Sequence, residues 1–405
     1  METEIEFITS GSVTSPRGFH AGATYAGIKK GGKDSLDLGI LFSEVPCVAT
    51  ALFTTNRIKA APILWCQQQL KSGRATAIVV NSGCANACNG EQGLEDTRET
   101  AELAAKSMGI SPEDVVVAST GVIGQPLPMT LIRTGIKQIV LSADGGHELA
   151  QAIMTTDTFP KEVAVAVRAG KNQFTIGGVA KGAGMIHPNL ATMLCFLTTD
   201  AAVNIDFLER TLKRAADISF NLVSIDGDTS TNDTVVVMAN GLAENEPMSP
   251  DSPLANAFQQ ALDKVCIYLA KCIARDGEGA TRLIEVTVNG APSVAEARLA
   301  ARTVVSSPLV KTAVHGSDPN WGRILAAVGR SGVEVVESKI DLFIGQICLL
   351  RAGKPLPFDG QNLAQILSGN EVRVSLNLNL GNETATAWGC DLSEEYVTIN
   401  SQYTT

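Results

Sequence analysis

The most unusual part of this chain is the stretch GGVAKGAGMIHPNLATMLCFLTTD, residues 177–200, and the expected local fold follows from it. A glycine-rich segment that carries one lysine, Lys181, leads into His-Pro-Asn at residues 187–189. The apolar run at residues 193–197 that follows is typical of a buried strand. The stretch therefore predicts a turn that leads directly into a buried strand, with Thr192 at the junction.

Short strands and helices alternate through the rest of the chain. Residues 77–80 and 115–118 predict buried strands, because each apolar run ends in a turn of Gly, Ser or Asn. Residues 91–109 predict a helix that ends at Gly109. Apolar residues at helical spacing predict further helices at 207–220 and 258–273, and strict alternation predicts half-buried strands at 283–290 and 372–380.

The length and composition indicate a globular α/β protein of more than one lobe. A chain of 405 residues is too long for one ordinary compact core. Hydrophobic residues make up 45% and charged residues 18%, which is typical of a globular chain. Strands and loops become denser after Arg282, so we expect a catalytic domain at 1–282 and a smaller lobe at 283–405.

Charge and cysteine usage narrow the possible partners and the compartment. The formal net charge of -10 argues against binding to nucleic acids or anionic membranes. The nine cysteines are odd in number and mostly lie in apolar surroundings, which favours free thiols in a reducing compartment. No apolar run reaches the roughly 18 residues of a spanning helix, and no signal peptide is evident at the start. We therefore expect a cytoplasmic protein without nucleic-acid or membrane partners.

The familiar signatures of metal and cofactor chemistry fail in this sequence. The four histidines are scattered, and Cys84 and Cys88 lack the second pair that a zinc site requires. No G-x-S-x-G motif marks a serine nucleophile. We expect neither a metal nor a resident cofactor.

Thr192 allows two interpretations when it is taken alone. Threonine is common at the start of a strand, and that structural role is the ordinary expectation. Alternatively, its hydroxyl attacks the preceding carbonyl in a strained turn, and water cleaves the ester that forms. Thr192 then becomes a chain N-terminus, whose amine has an ordinary pKa near ~8 and serves as general base for its own hydroxyl.

A family resemblance favours the second interpretation. The segment KGAGMIHPNLATML at 181–194 resembles the signature of the ornithine acetyltransferases of arginine biosynthesis, also called glutamate N-acetyltransferases. Six further segments resemble that family in the same order over nearly the whole length: NSGCANA (81–87), STGVIG (119–124), TTDT (155–158), SIDGDTSTND (224–233), RDGEGAT (275–281) and GSDPNWGR (316–323).

The resemblance implies a fold and a set of site residues. The implied fold is a layered αββα-type sandwich with a smaller C-terminal α/β lobe. The chain is expected to cleave itself between Ala191 and Thr192 into mature chains 1–191 and 192–405. Thr192 then carries the acetyl group, and Thr120 and Gly121 stabilise the oxyanion. The substrate contacts that the resemblance implies are Thr155, Lys181, Thr192, Glu278, Asn400 and Thr405. Any residue of the run 155–158 could make the contact that is assigned here to Thr155.

The implied reaction is ping-pong. N-acetylornithine acylates Thr192, ornithine leaves, and glutamate takes the acetyl group. The charges of the substrate suggest that Lys181 binds its carboxylate and that Glu278 binds its side-chain ammonium. Whether acetyl-CoA serves as a second acetyl donor stays open. The family also implies that the two mature chains remain together as a heterodimer and assemble into a heterotetramer or larger.

Two rival functions remain at this point. A self-cleaving aminopeptidase or amidase of the same broad fold would use the same nucleophile but pass the acyl group to water. An uncleaved metabolite-binding protein would use Thr192 only as a strand residue.

Overall fold

Two β-sheets and eleven helices make up the part of the chain that this computed structural model describes, residues 3–29, 35–187 and 193–402. The strands are β1 (Thr3–Phe7), β2 (Phe19–Thr24), β3 (Leu38–Phe53), β4 (Arg74–Cys84), β5 (Val115–Val122), β6 (Lys161–Ala169), β7 (Asn172–Lys181), β8 (Leu194–Thr199), β9 (Val223–Ser224), β10 (Thr234–Ala239), β11 (Leu283–Ala291), β12 (Asp341–Ile344), β13 (Ile347–Arg351), β14 (Lys354–Pro355), β15 (Glu371–Asn377) and β16 (Glu383–Cys390). The helices are α1 (Ala61–Gln69), α2 (Gly90–Met108), α3 (Met129–Gly135), α4 (Gly146–Ala152), α5 (Ile205–Asp217), α6 (Ala255–Arg275), α7 (Val294–Val305), α8 (Pro308–His315), α9 (Gly322–Gly329), α10 (Gly360–Leu367) and α11 (Glu394–Gln402).

The first sheet has nine strands, in the order β1-β6-β7-β8-β10-β3-β4-β5, with β2 paired to β3. Strand β8 lies between β7 and β10, with Lys181 opposite Leu194 and Leu194 opposite Thr234. All six residues of β8 are buried, as expected for a central strand covered on both faces. The buried strand predicted after Thr192 is therefore confirmed.

The second sheet has seven strands, in the order β14-β13-β12-β15-β11-β16-β9. Helix α6 packs against β6 and β7 of the first sheet and against β11 and β16 of the second. Its residues Phe258, Leu262, Val265 and Leu269 are fully buried, which confirms the predicted apolar stripe. The α/β class with two sheets is thus confirmed.

Most predicted elements appear with shifted ends. The helix expected at 91–109 is α2, and it ends where Gly109 adopts a left-handed φ of 71°. The helix expected at 207–220 ends at Asp217, because Ser219 adopts a non-helical φ of −130° and ψ of −92° before a short 3₁₀ turn at Phe220–Leu222. The strand expected at 372–380 ends at Asn377, because Asn379 adopts a φ of 52° that a strand does not allow.

The division into a 1–282 domain and a 283–405 lobe stays a prediction. In the described part of the chain, β9 is the one strand of the second sheet that comes from before Arg282; the other six come from after it.

All nine cysteines are free thiols, and six of them are buried. Within the described ranges, no helix is both long and apolar enough to cross a membrane.

Candidate active site

Six of the residues singled out from the sequence line one cavity of about 220 Å³. They come from separate parts of the fold: Thr120 and Gly121 from the end of β5, Thr155 from the bend after α4, Lys181 from the end of β7, Glu278 from the loop after α6, and Asn400 from α11. The fold thus brings together side chains that are far apart in the sequence, while their individual roles stay predictions.

The remaining predicted residues, Ala191, Thr192 and Thr405, lie outside the described residues. Met193 and Leu194 follow Thr192 directly, and both line the cavity. The Met193 carbonyl accepts a hydrogen bond from the Thr234 amide at 2.8 Å. The chain immediately after Thr192 is therefore held at the cavity by the start of β10.

Gly121 occupies a position that only glycine fits. Its φ is +130°, and a Cβ there would lie 2.3 Å from the Gly83 carbonyl carbon and 2.6 Å from the Cys84 nitrogen. The preceding part of β5 is tied to the segment before β10, because the side-chain amide of Asn232 donates a hydrogen bond to the Ser119 carbonyl at 2.9 Å. The backbone of Gly121 therefore lies directly against that of Gly83 and Cys84, and this packing fixes Thr120 and Gly121 at the cavity wall.

Lys181 is the one cation among the described residues that line the cavity, and its side chain is buried. Its Nζ lies 3.5 Å from Thr120 Oγ1. Burial lowers the pKa of Lys181 below its ordinary value, while the negative charges of Asp157, Asp233 and Glu278 act in the opposite direction. A further carboxylate that entered the cavity would strengthen the charged form of this lysine.

Glu278 is held in place by α11 and by the glycine segment after β7. Its Oε2 accepts a hydrogen bond from Asn400 Nδ2 at 2.7 Å, and its backbone amide donates to the Ala183 carbonyl at 2.9 Å. A Cβ on Gly184 would lie 2.5 Å from the Glu278 carboxyl carbon, so a larger residue at position 184 would displace this carboxylate. Lys181 and Glu278 therefore present opposite charges to the same cavity.

A buried charge cluster behind the cavity was missed by the sequence analysis. Lys161 Nζ lies 2.6 Å from Asp157 Oδ1 and 2.5 Å from Asp276 Oδ2, and the three side chains are 0%, 0% and 3% exposed. Asp157 also accepts the backbone amides of Thr155 at 2.9 Å and Gly182 at 2.8 Å. Asp157 thereby joins two segments of the cavity wall.

The pKa of Asp157 reflects this environment. Burial by itself would raise the pKa of this carboxyl group. The positive charges of Lys161 and Lys181, together with the hydrogen bonds from Lys161 and the Thr155 amide, outweigh burial and hold the pKa well below its ordinary range.

Asp233 is a second residue to which the sequence analysis gave no role. It is buried at the cavity wall, and burial raises its pKa well above the ordinary value. Its Oδ2 is buried and has no hydrogen-bond partner among the residues that the structure describes. Its neighbours Ser230, Thr231 and Asn232 also line the cavity. The signal was the run of acidic and hydroxyl residues at 224–233 directly before a buried strand.

In the described part of the chain, no group of three His, Cys, Asp or Glu side chains is arranged to hold a metal ion. The arrangement suits a small ligand that carries both a carboxylate and an ammonium group, because Lys181 and Glu278 offer one partner for each.

Comparisons with known proteins agree with these observations. The sequence matches the ArgJ family over residues 20–405. The arginine biosynthesis bifunctional protein ArgJ of Dehalococcoides mccartyi is 54% identical over 405 residues, which are 100% of both chains. The solved ArgJ protein of Bacillus halodurans is 49% identical and covers 51% of this chain and 97% of its own, with a TM-score of 0.50. The ornithine acetyltransferase of Mycobacterium tuberculosis, solved with ornithine, is 42% identical and covers 46% of this chain and 100% of its own, with a TM-score of 0.43.

The family match covers nearly the whole chain, and the identity to the Dehalococcoides mccartyi protein extends over its full length. The family predicted from the seven sequence segments is thereby confirmed. This chain belongs to the ArgJ family.

Proposed function

We propose that this chain transfers the acetyl group of N-acetylornithine to glutamate through an acetyl ester on Thr192, as a step of arginine biosynthesis. The observation that carries the proposal is the shared cavity: Thr120, Gly121, Lys181 and Glu278 line it together with Met193, the residue that follows Thr192. Family membership supports the same reaction class.

The first step in the proposal is self-cleavage between Ala191 and Thr192. The Thr192 hydroxyl attacks the Ala191 carbonyl, the peptide becomes an ester, and water hydrolyses that ester. The chain is well held on both sides of the cut, since Met193 is bonded to Thr234 and the amides of Met185 and Ile186 donate to Asp226 at 2.6 and 2.9 Å. The Bacillus halodurans chain supports a cut near the middle, because 97% of it corresponds to only 51% of this chain.

The two mature chains would stay associated after the cut. Strands β8 and β10 belong to chain 192–405, and they lie between β7 and β3 of chain 1–191. Separating the chains would break the pairing of β7 with β8 and of β3 with β10, which extends over six residues in each pair. We therefore propose a heterodimer as the basic unit. Assembly into a heterotetramer or larger is proposed from the family resemblance alone.

The acetyl transfer then follows the logic of an N-terminal nucleophile. The free α-amine of Thr192 takes the proton of its own hydroxyl, the oxygen attacks the acetyl carbonyl, and the amine returns the proton to the departing ornithine nitrogen. Thr120 and Gly121 are proposed to stabilise the oxyanion, a contribution of roughly 3–4 kcal/mol per donor in comparable sites. The glutamate amine next attacks the ester and releases N-acetylglutamate and free Thr192.

Substrate binding is assigned by charge. Lys181 is proposed to bind the carboxylate of N-acetylornithine, and Glu278, oriented by Asn400, its side-chain ammonium. Thr155 and Thr405 complete the proposed contacts. Use of acetyl-CoA as a second donor is part of the proposal, because the relatives are named bifunctional. A cytoplasmic location is also proposed, and the free thiols support a reducing compartment.

The molecule that accepts the acetyl group from Thr192, glutamate or water, distinguishes this function from the rival aminopeptidase or amidase. The purified protein would be incubated with N-acetylornithine, with and without glutamate, and the acetylated products would be identified. The proposal expects N-acetylglutamate in the presence of glutamate and little free acetate in its absence. Acetate released at the same rate with or without glutamate would instead identify a hydrolase.

A further inference from the structure

His187, the described residue nearest to the proposed cut on its upstream side, has both ring nitrogens bound. Its Nδ1 lies 2.9 Å from Ser224 Oγ, and its Nε2 lies 3.1 Å from Nη2 of Arg302. Its carbonyl accepts a hydrogen bond from Thr229 Oγ1 at 2.9 Å. Three separate groups thus hold one residue immediately before residues 188–192.

The partners determine the protonation of the ring. A guanidinium group only donates hydrogen bonds, so Nε2 of His187 must be the acceptor and carries no proton. The ring is therefore neutral, with its proton on Nδ1 and directed to Ser224 Oγ. Burial lowers the pKa of His187, and the charge of Arg302 lowers it further. Both nitrogens are already used, so this histidine is not available as a general base.

Arg302 lies on α7 in an unusual setting for a cation. Its side chain is largely buried, and burial lowers its pKa. Among the described residues no ion pair joins it to a carboxylate, and its buried Nε has no hydrogen-bond partner there. Burying a charge without an acidic partner is costly. The hydrogen bond to His187 therefore suggests a functional reason for an arginine at this position.

Neither residue lines the cavity within the described part of the chain. The described lining residues nearest in sequence to His187 are Met185 and Ile186, whose amides are held by Asp226. The His187–Arg302 contact therefore lies outside the described lining of the cavity.

We propose that Arg302 is a positioning residue for self-cleavage, which acts by holding His187 as a fixed, neutral anchor upstream of the Ala191–Thr192 bond. Met193 is fixed downstream by Thr234, so the described residues on both sides of the proposed cut, His187 and Met193, are held before the hydroxyl of Thr192 attacks. The inference rests on the proposed self-cleavage, and it assigns Arg302 no part in acetyl transfer once the chain is cut.

The test follows cleavage and turnover separately in the full-length protein. Intact mass under denaturing conditions gives the cleaved fraction over time after expression for the wild type, Arg302→Met, Arg302→Lys and His187→Phe. Turnover is then expressed per cleaved chain. A variant of the exposed His20, His20→Gln, is the matched histidine control.

The proposal expects Arg302→Met and His187→Phe to cleave about 10- to 100-fold more slowly, the factor that follows from losing a hydrogen bond to a charged group. Arg302→Lys should recover most of the rate, and kcat and KM per cleaved chain should equal those of the wild type. The proposal would be overturned if Arg302→Met and His187→Phe both cleaved at the wild-type rate. Slow cleavage with an equally reduced turnover per cleaved chain would overturn it as well, because the residue would then serve the whole site. An uncleaved wild type would refute the proposed function itself, which is a different result.

Discussion

The buried cluster of Lys161, Asp157 and Asp276 supports a quantitative prediction for Lys161→Met. The change leaves two carboxylates buried at 0% and 3% exposure without the cation that lies 2.6 and 2.5 Å from them. Breaking a buried pair by removing one partner costs about 3–5 kcal/mol, because the remaining charge is uncompensated. We expect a loss of that size in the free energy of unfolding at pH 7.

The assay is urea unfolding of Lys161→Met in a Thr192→Ala background, where unfolding stays unimolecular. Arg168→Met is the control, because Arg168 makes exposed ion pairs with Glu4 and Glu6 and should cost less than ~1 kcal/mol. Neutralising the two carboxylates as well, by Asp157→Asn and Asp276→Asn, should recover part of the loss. Equal losses for Lys161→Met and Arg168→Met would refute the reasoning.

The same variant should change the pH dependence of stability. In the wild type the pKa of Asp157 is held below its unfolded value near ~3.9, so its contribution is present above that value and is lost as the pH falls through the folded pKa. Without Lys161, burial is expected to dominate and to raise the folded pKa. Stability of the variant should then fall as the pH rises above ~4. The difference between the two proteins should therefore grow from acid toward neutral pH.

Three further predictions concern single residues, two of them at the cavity and the third, Lys29, outside the residues that line it. Gly121→Ala should lower kcat about 10²- to 10³-fold, since its Cβ would lie 2.3 Å from the carbonyl carbon of Gly83. Gly124→Ala is the control: it places alanine at a left-handed φ of 81° as well, but its Cβ meets no atom within 4 Å, so it should retain activity in the same assay. Glu278→Gln should raise the KM for N-acetylornithine about 10- to 100-fold and that for glutamate much less, as steady-state kinetics would show; equal changes would contradict the assigned ammonium contact. Burial lowers the pKa of Lys29 to about 8, so this lysine should titrate near 8 in NMR spectra of the methylated protein. Between pH 8 and 10.5 the unfolded chain still binds a proton that the folded chain has lost, so the free energy of unfolding should rise with pH over that range. Titration of Lys29 near 10.5 would contradict it.

The elements that the sequence predicted well are those with a strong local pattern. Helix α6 was found because apolar residues recur at helical spacing, and that stripe is the face that packs on both sheets. Strand ends were less predictable. Apolar and polar residues alternate as far as Leu380, yet the strand ends at Asn377. It ends there because Asn379 adopts a left-handed φ in the following turn, and this turn leaves no trace in the apolar pattern.

The candidate site was predictable through the family signature and only partly through physical chemistry. Lys181 and Glu278 are ordinary charged residues in glycine-rich turns when taken singly. Asp157 and Lys161 are four residues apart, but their third partner, Asp276, comes from the end of α6. No local spacing indicates that cluster, because it exists only after β6, β7 and α6 have packed together.

The central claim is that Thr192 becomes a chain N-terminus and carries the acetyl group. The most direct measurement is the intact mass of the protein under denaturing conditions, before and after incubation with N-acetylornithine alone, beside Thr192→Ala. The account predicts two chains that meet at Ala191/Thr192, with one acetyl group added to chain 192–405 alone, and a single unmodified chain for Thr192→Ala. A single intact wild-type chain, or an acetyl group on chain 1–191, would contradict the account.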